Sequence, residues 1–118
     1  MMNDIYQLNM QAEEYVYMIA LNTKGKVLGV FQIAHGTVNK CMISMREIMI
    51  RALLCAAVNI VLVHNHPSGC NEPSREDFDL HTRVIDTCAL MNIPLLDNLI
   101  IAGNTYFSFK EQGYLKTT

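Results

Sequence analysis

The run His64-Asn65-His66-Pro67-Ser68-Gly69-Cys70-Asn71-Glu72-Pro73-Ser74-Arg75-Glu76-Asp77 gathers two imidazoles, a hydroxyl and a carboxylate in a spacing that suits a catalytic metal. The histidines follow the apolar stretch Asn59-Ile60-Val61-Leu62-Val63, which reads as a buried strand. Residues i and i+2 of a strand share one face, so His64 and His66 are expected to point the same way and Asn65 to point back. Pro67-Ser68-Gly69 ends the strand, and Pro73-Ser74 opens a segment of helical periodicity whose first turn contains Asp77. Three ligands of the His/His/Asp type leave one position of a tetrahedral zinc open for water, which is the layout of a catalytic rather than a closed structural site. Zinc held in this way lowers the pKa of its water from about 15.7 to roughly 7, so a nucleophile is available at neutral pH. Ser74 also has a structural reading, as helix N-cap with Asp77 at the third helical position of a capping box; the two roles are compatible.

The elements that must position these groups follow from pattern and punctuation. Residues 15–21 and 27–34 read as two strands joined by Asn22-Thr23-Lys24-Gly25-Lys26, a polar stretch suited to a hairpin turn. A shorter strand is expected at 39–43. Ser44 and Glu47 form a second capping-box signature, opening a helix expected to run to about Val58. The strand ending at His66 comes next, then a helix from Ser74 to about Asn92 with Phe78, His81, Ile85, Cys88 and Ala89 spaced for its inner face. Residues 95–102 and 105–109 form two more strands around Gly103-Asn104. There is no internal repeat, linker or low-complexity tract. This order predicts an α+β domain, a mixed sheet covered by helices.

A chain of 118 residues with 51% hydrophobic content is one domain able to close a modest core. Its net charge of −2 supplies no broad electrostatic footprint for nucleic acid. The N-terminus shows neither a basic nor an apolar leader region, and no apolar run approaches the roughly 18 residues of a membrane span. Cys41, Cys55, Cys70 and Cys88 sit singly, with no C-x-x-C pair, and read as reduced thiols of a cytoplasmic protein.

The pattern H-x-H-x7-S-x2-D, filled by His64, His66, Ser74 and Asp77, is the JAMM signature of the JAB/MPN metalloprotease superfamily. The longer text from Val63 to Asp77, with Ile93-Pro94-Leu95-Leu96-Asp97, Gly36-Thr37-Val38-Asn39, Arg46-Glu47-Ile48 and Tyr106-Phe107-Ser108-Phe109, resembles the bacterial RadC branch over roughly residues 12 to 115. The resemblance implies a JAB/MPN (cytidine-deaminase-like) three-layer domain at 12–118, its mixed sheet sandwiched by helices, after an N-terminal extension at 1–11. It also implies a zinc-dependent hydrolase acting on an amide or isopeptide bond of a peptide or protein substrate. Zn2+ would be held by His64, His66 and Asp77, with a glutamate at the start of the first strand as general base and Ser74 helping to hold the developing oxyanion. Matching Glu14-Tyr15-Val16-Tyr17-Met18 to that strand places the base at Glu14; Glu13, one residue of register away, and Glu47 stay open as alternatives. RadC-like proteins are traditionally labelled DNA repair factors, but longer members carry a helical region ahead of this domain, and the charge of this chain makes nucleic acid an unlikely partner for the domain alone.

Other candidates have plainer explanations. His35 and His81 lack any comparable surroundings and read as structural. Cys70 lies four residues beyond His66 in the loop below the expected metal and reads as packed or solvent-facing, with zinc ligation the alternative. Asp97 reads as a structural hydrogen-bonding group, and Asn98 departs from the resemblance, where histidine is usual. The eight methionines read as core filler. The competing functional class is a non-catalytic metal-binding or scaffold module associated with DNA repair or mobile elements. A nuclease reading of His64-Asn65-His66 finds no support in the spacing, and a zinc deaminase would need a C-x-x-C pair that is absent.

Overall fold

A computed structural model describes residues 14–36 and 43–115. Strands β1 (Glu14–Leu21) and β2 (Val27–Gly36) form an antiparallel hairpin. Its turn is closed by the Asn22 side chain, which accepts from the backbone N–H groups of Lys24 and Lys26, both at 2.9 Å. Gly25 takes φ = +78°, a conformation costly for any residue with a Cβ. Helix α1 (Met45–Leu54) follows, then β3 (Asn59–Asn65), α2 (Arg75–Met91), β4 (Leu95–Ala102) and β5 (Thr105–Ser108). The sheet order is β2-β1-β3-β4-β5, antiparallel except for the β3–β4 pair. A parallel neighbour demands a crossover, and α2 supplies it. The α+β class expected from the sequence is thus present, with one mixed sheet. The strand expected at 39–43, the extension at 1–11 and Glu13 lie essentially outside the described residues; of them only Ile43 is described, and it is not in a strand.

Both helices pack on the same face. Met18, Ala20, Ile60 and Leu62 from the sheet meet Ile48 and Ala52 of α1 and Val84 and Cys88 of α2 in the main core. The opposite face carries Ile19 and Val63 among the partly buried Tyr15, Tyr17, Val61 and Leu99, and no described helix contributes to it. No helix among the described residues is long and apolar enough to cross a membrane.

Two helix details depart from expectation. α1 stops at Leu54 rather than near Val58 because Ala56 adopts φ = +55°. Its N–H donates to the Leu53 carbonyl and that of Ala57 donates to the Ala52 carbonyl, a Schellman closure made with alanine where glycine would have announced it. α2 ends in the same way, with Asn92 at φ = +56° and Ile93 N–H donating to Cys88. Its buried stripe is Asp77, His81, Val84 and Cys88, while Ala89, expected inside, is exposed.

Candidate metal centre

The topology delivers the site. Because β1 runs antiparallel to β3 with Val16 opposite His64, Glu14 lies two residues further along the same face, beside the end of β3 that carries His66. Residues 66–74 lead from β3 into α2, whose first turn brings Asp77 to the same spot. Ser74 caps it: its Oγ accepts from Asp77 N–H at 3.1 Å, and Asp77 Oδ2 accepts from Ser74 N–H at 2.8 Å. Both halves of the predicted capping box are therefore made, and they fix the rotamer that turns Asp77 toward the histidines.

Glu14, His64, His66 and Asp77 each offer a ligand atom within 4.8 Å of the others. His66 Nε2 lies 3.0 Å from Asp77 Oδ2 and His64 Nε2 3.3 Å from Asp77 Oδ1. The His64 contact is close enough to favour the carboxylate charge but is not aligned as a hydrogen bond, which leaves His64 Nε2 a buried ring nitrogen without a partner. A native interior rarely tolerates such an atom without a ligand to receive it. His66 is oriented from behind, its Nδ1–H donating to the Cys70 carbonyl at 2.9 Å, so that Nε2 carries the lone pair facing the cluster whenever the ring is neutral. Asn65 does turn away, and its buried Oδ1 accepts from Tyr15 N–H at 2.6 Å, tying the start of β1, and hence Glu14, to the histidine-bearing strand. Sequence reasoning did not foresee that tie, since a strand residue facing away from a site carries no signal of what it will meet.

Electrostatics follow from enclosure. Burial raises the Glu14 pKa above its ordinary 4.5; the imidazoles of His64 and His66 oppose the rise, and the Asp77 charge adds to it. For Asp77, burial is outweighed by the His64 and His66 contacts, the His64 charge and the Ser74 N–H, which hold it well below the usual carboxylate range. For His66, burial lowers the pKa, but Asp77 and the Cys70 carbonyl more than offset this and leave it above 6.5. Two imidazoles, one of them with an orphaned nitrogen, and two carboxylates make a donor set that could hold a metal ion. The four groups line a cleft of about 730 Å³ together with Ser74 and Cys70.

The chain matches the RadC-like JAB domain over residues 1–114. It belongs to the RadC-like JAB family. A UPF0758 protein of Clostridium acetobutylicum is 38% identical over 109 residues, which is 92% of this chain and 48% of that protein. UPF0758 proteins of Thiobacillus denitrificans and Rubrobacter xylanophilus are each 40% identical, over 95% and 91% of this chain and 51% and 46% of their own lengths. The chain thus spans about half the length of these curated relatives. JAB domains include hydrolases, and the residues that fill the JAMM pattern in this RadC-like chain are the ones the fold brings together.

The remaining candidates fall away from the cluster. Glu47 N–H donates to Ser44 Oγ at 3.2 Å, and the Glu47 carboxylate pairs with Arg51 at 3.7 Å on the exposed side of α1. Cys70 contributes its carbonyl to His66, not its thiol to the cluster. His81 is buried and satisfied by the Tyr114 carbonyl and Asn98, and burial lowers its pKa. Asp97 is structural as expected, accepting from Ser108 Oγ at 2.6 Å and Lys110 N–H at 3.1 Å.

Proposed function

We propose that this domain is a zinc-dependent hydrolase of an amide or isopeptide bond in a peptide or protein, with His64, His66 and Asp77 as metal ligands. The observation that carries this reading is the buried, unpartnered His64 Nε2 facing two carboxylates and a second imidazole. Held by His64, His66 and Asp77, a zinc ion would supply Lewis acidity and a water whose pKa lies near roughly 7. Glu14 takes the proton from the attacking water; its raised pKa suits that task, because a base works best when its pKa approaches the working pH. The same carboxyl then returns the proton to the leaving nitrogen as the C–N bond breaks. Ser74 Oγ accepts from Asp77 N–H, so its own hydroxyl hydrogen is available to donate to the oxyanion that develops on the substrate carbonyl. Asn65 holds Glu14 in place through Tyr15.

Glu14→Gln tests the reading, assayed with zinc loaded on pools of fluorogenic peptides and lysine-isopeptides. The variant should keep its metal and lose hydrolysis by about 10²-fold or more, the scale of general acid-base catalysis. Full activity in the variant, or no turnover by wild type on any pool, contradicts it.

A further inference from the structure

The end of the domain remote from the metal centre is apolar. β1 runs away from Glu14 to the hairpin turn, and its last residue, Leu21, lies opposite Asn59, the first residue of β3. β4 starts beside it, with Leu95 opposite Ile60. Both helices end here as well: Val58 N–H, just past α1, donates to the Leu21 carbonyl, and Ile60 N–H donates to the carbonyl of Pro94, just past α2. Of the nine large apolar or aromatic side chains exposed among the described residues, seven lie at this end. Leu53, Leu54 and Val58 follow the last turn of α1, Leu90 and Met91 close α2, and the other two open β2. Leu54 is 83% exposed and Leu90 84%. A contiguous apolar patch on a globular domain marks an interaction surface.

Its size and charge fit a second copy of the same chain. The seven side chains expose roughly 700 Å² per chain, so pairing two such patches would bury about 1,400 Å², within the roughly 1,200–2,000 Å² of specific, stable interfaces. The patch is also self-complementary. α1 lies toward β2, its Arg51 guanidinium 5.6 Å from the centre of the Phe31 ring, and α2 lies toward β4, where His81 meets Asn98. A two-fold axis normal to the sheet at this end therefore sets the end of each α1 against the end of the other copy's α2. The same rotation carries Lys24 and Lys26, exposed in the β1–β2 turn, toward the C-terminus of the other α2. That helix end carries partial negative charge, and its last turn has no basic residue of its own.

We propose that two copies of this chain pair through this end, with Leu54 of each copy against Leu90 of the other. The metal clefts then open at the two far ends of the dimer, so the pairing does not depend on the hydrolase activity.

Sedimentation velocity of the full chain tests this. Interfaces of standard size bind from the micromolar range downward, so at about 50 μM the chain should sediment as a dimer, with twice the 13.4 kDa of one chain. Leu54→Lys and Leu90→Glu, both at positions far from the core, should each abolish the dimer at that concentration, because each buries an unpaired charge in the interface. Mixing the two variants should restore a dimer: one of its two contacts becomes lysine against glutamate, and the other stays leucine against leucine. If circular dichroism shows either variant to be unfolded, Lys24→Glu, Lys26→Glu decides. That variant should weaken pairing by about fivefold through repulsion from the helix end, and unchanged pairing overturns the proposal. A wild type still monomeric at about 500 μM overturns it too and leaves the patch to a different chain. So does a dimer that persists in the folded single variants, or a mixture of them that stays monomeric. None of these outcomes depends on bound zinc, so failure of the metal centre leaves the pairing standing, and failure of the pairing leaves the centre.

Discussion

Asp77→Ala in the metal-free protein should cost far more stability in acid than in base. Above the folded pKa of His66 that ring is neutral, and the main loss is the capping box, in which Asp77 Oδ2 accepts from Ser74 N–H at 2.8 Å. A lost cap costs about 1 kcal/mol. At pH 5.5 the wild-type protein also holds a His66 imidazolium against the Asp77 carboxylate at 3.0 Å. The folded pKa of His66 is raised above 6.5, so this stability is fully present below 6.5 and is lost as pH rises through the folded value. Asp77, held low, stays ionised throughout this window and adds no slope. Without Asp77, burial would dominate at His66 and make charging it unfavourable on acidification. Glu14 pushes the gap the same way, since Asp77 helps to raise its pKa and that effect disappears in the variant. A charge-assisted hydrogen bond is worth about 1.5–3 kcal/mol, so the total loss at pH 5.5 is about 3 kcal/mol. At roughly 4 °C per kcal/mol for a domain of this size, the melting temperature should fall by about 4 °C at pH 8 and about 12 °C at pH 5.5. Thermal denaturation with a chelator present, at both pH values, measures this. Equal losses, or a larger loss at pH 8, would refute the assignment of an imidazolium–carboxylate pair.

Two further outcomes follow from the same contacts. Ser74→Ala should lower the melting temperature by about 4 °C through loss of the cap, leave zinc affinity within about threefold and reduce turnover; unchanged turnover on a cleaved peptide would remove Ser74 from the chemistry while keeping it as a cap. Asn65→Ala takes the buried acceptor from Tyr15 N–H and should cost about 1–3 kcal/mol in chemical denaturation, with turnover falling more than zinc affinity; a loss below about 0.5 kcal/mol would show that the 2.6 Å contact does not anchor β1.

Much of the site was legible in the chain because its geometry is local. His64 and His66 alternate across one residue on a strand, and Ser74 and Asp77 span one helical turn, so period alone sets each pair on one face. Glu14 was different: fifty residues separate it from His64, and only the family resemblance pointed to it, while the antiparallel register of β1 on β3 is what places it. The end of α1 was misjudged because Ala56 adopts a left-handed conformation that alanine does not advertise. The inner face of α2 holds His81 and Cys88 as expected, but it also takes in Asp77, a polar residue that a hydrophobic pattern assigns to solvent, and Val84 rather than Ile85 is fully buried. The role of Asn65 depends on what the neighbouring strand presents to it, and that is a tertiary fact.

Zinc stoichiometry in wild type and in the His64→Ala, His66→Ala double variant, measured by elemental analysis after loading and gel filtration, tests the central claim most directly. One zinc per wild-type chain and none in a folded double variant is the result predicted by a centre in which the buried His64 Nε2 faces Glu14, His66 and Asp77. Equal zinc in the two proteins would contradict it.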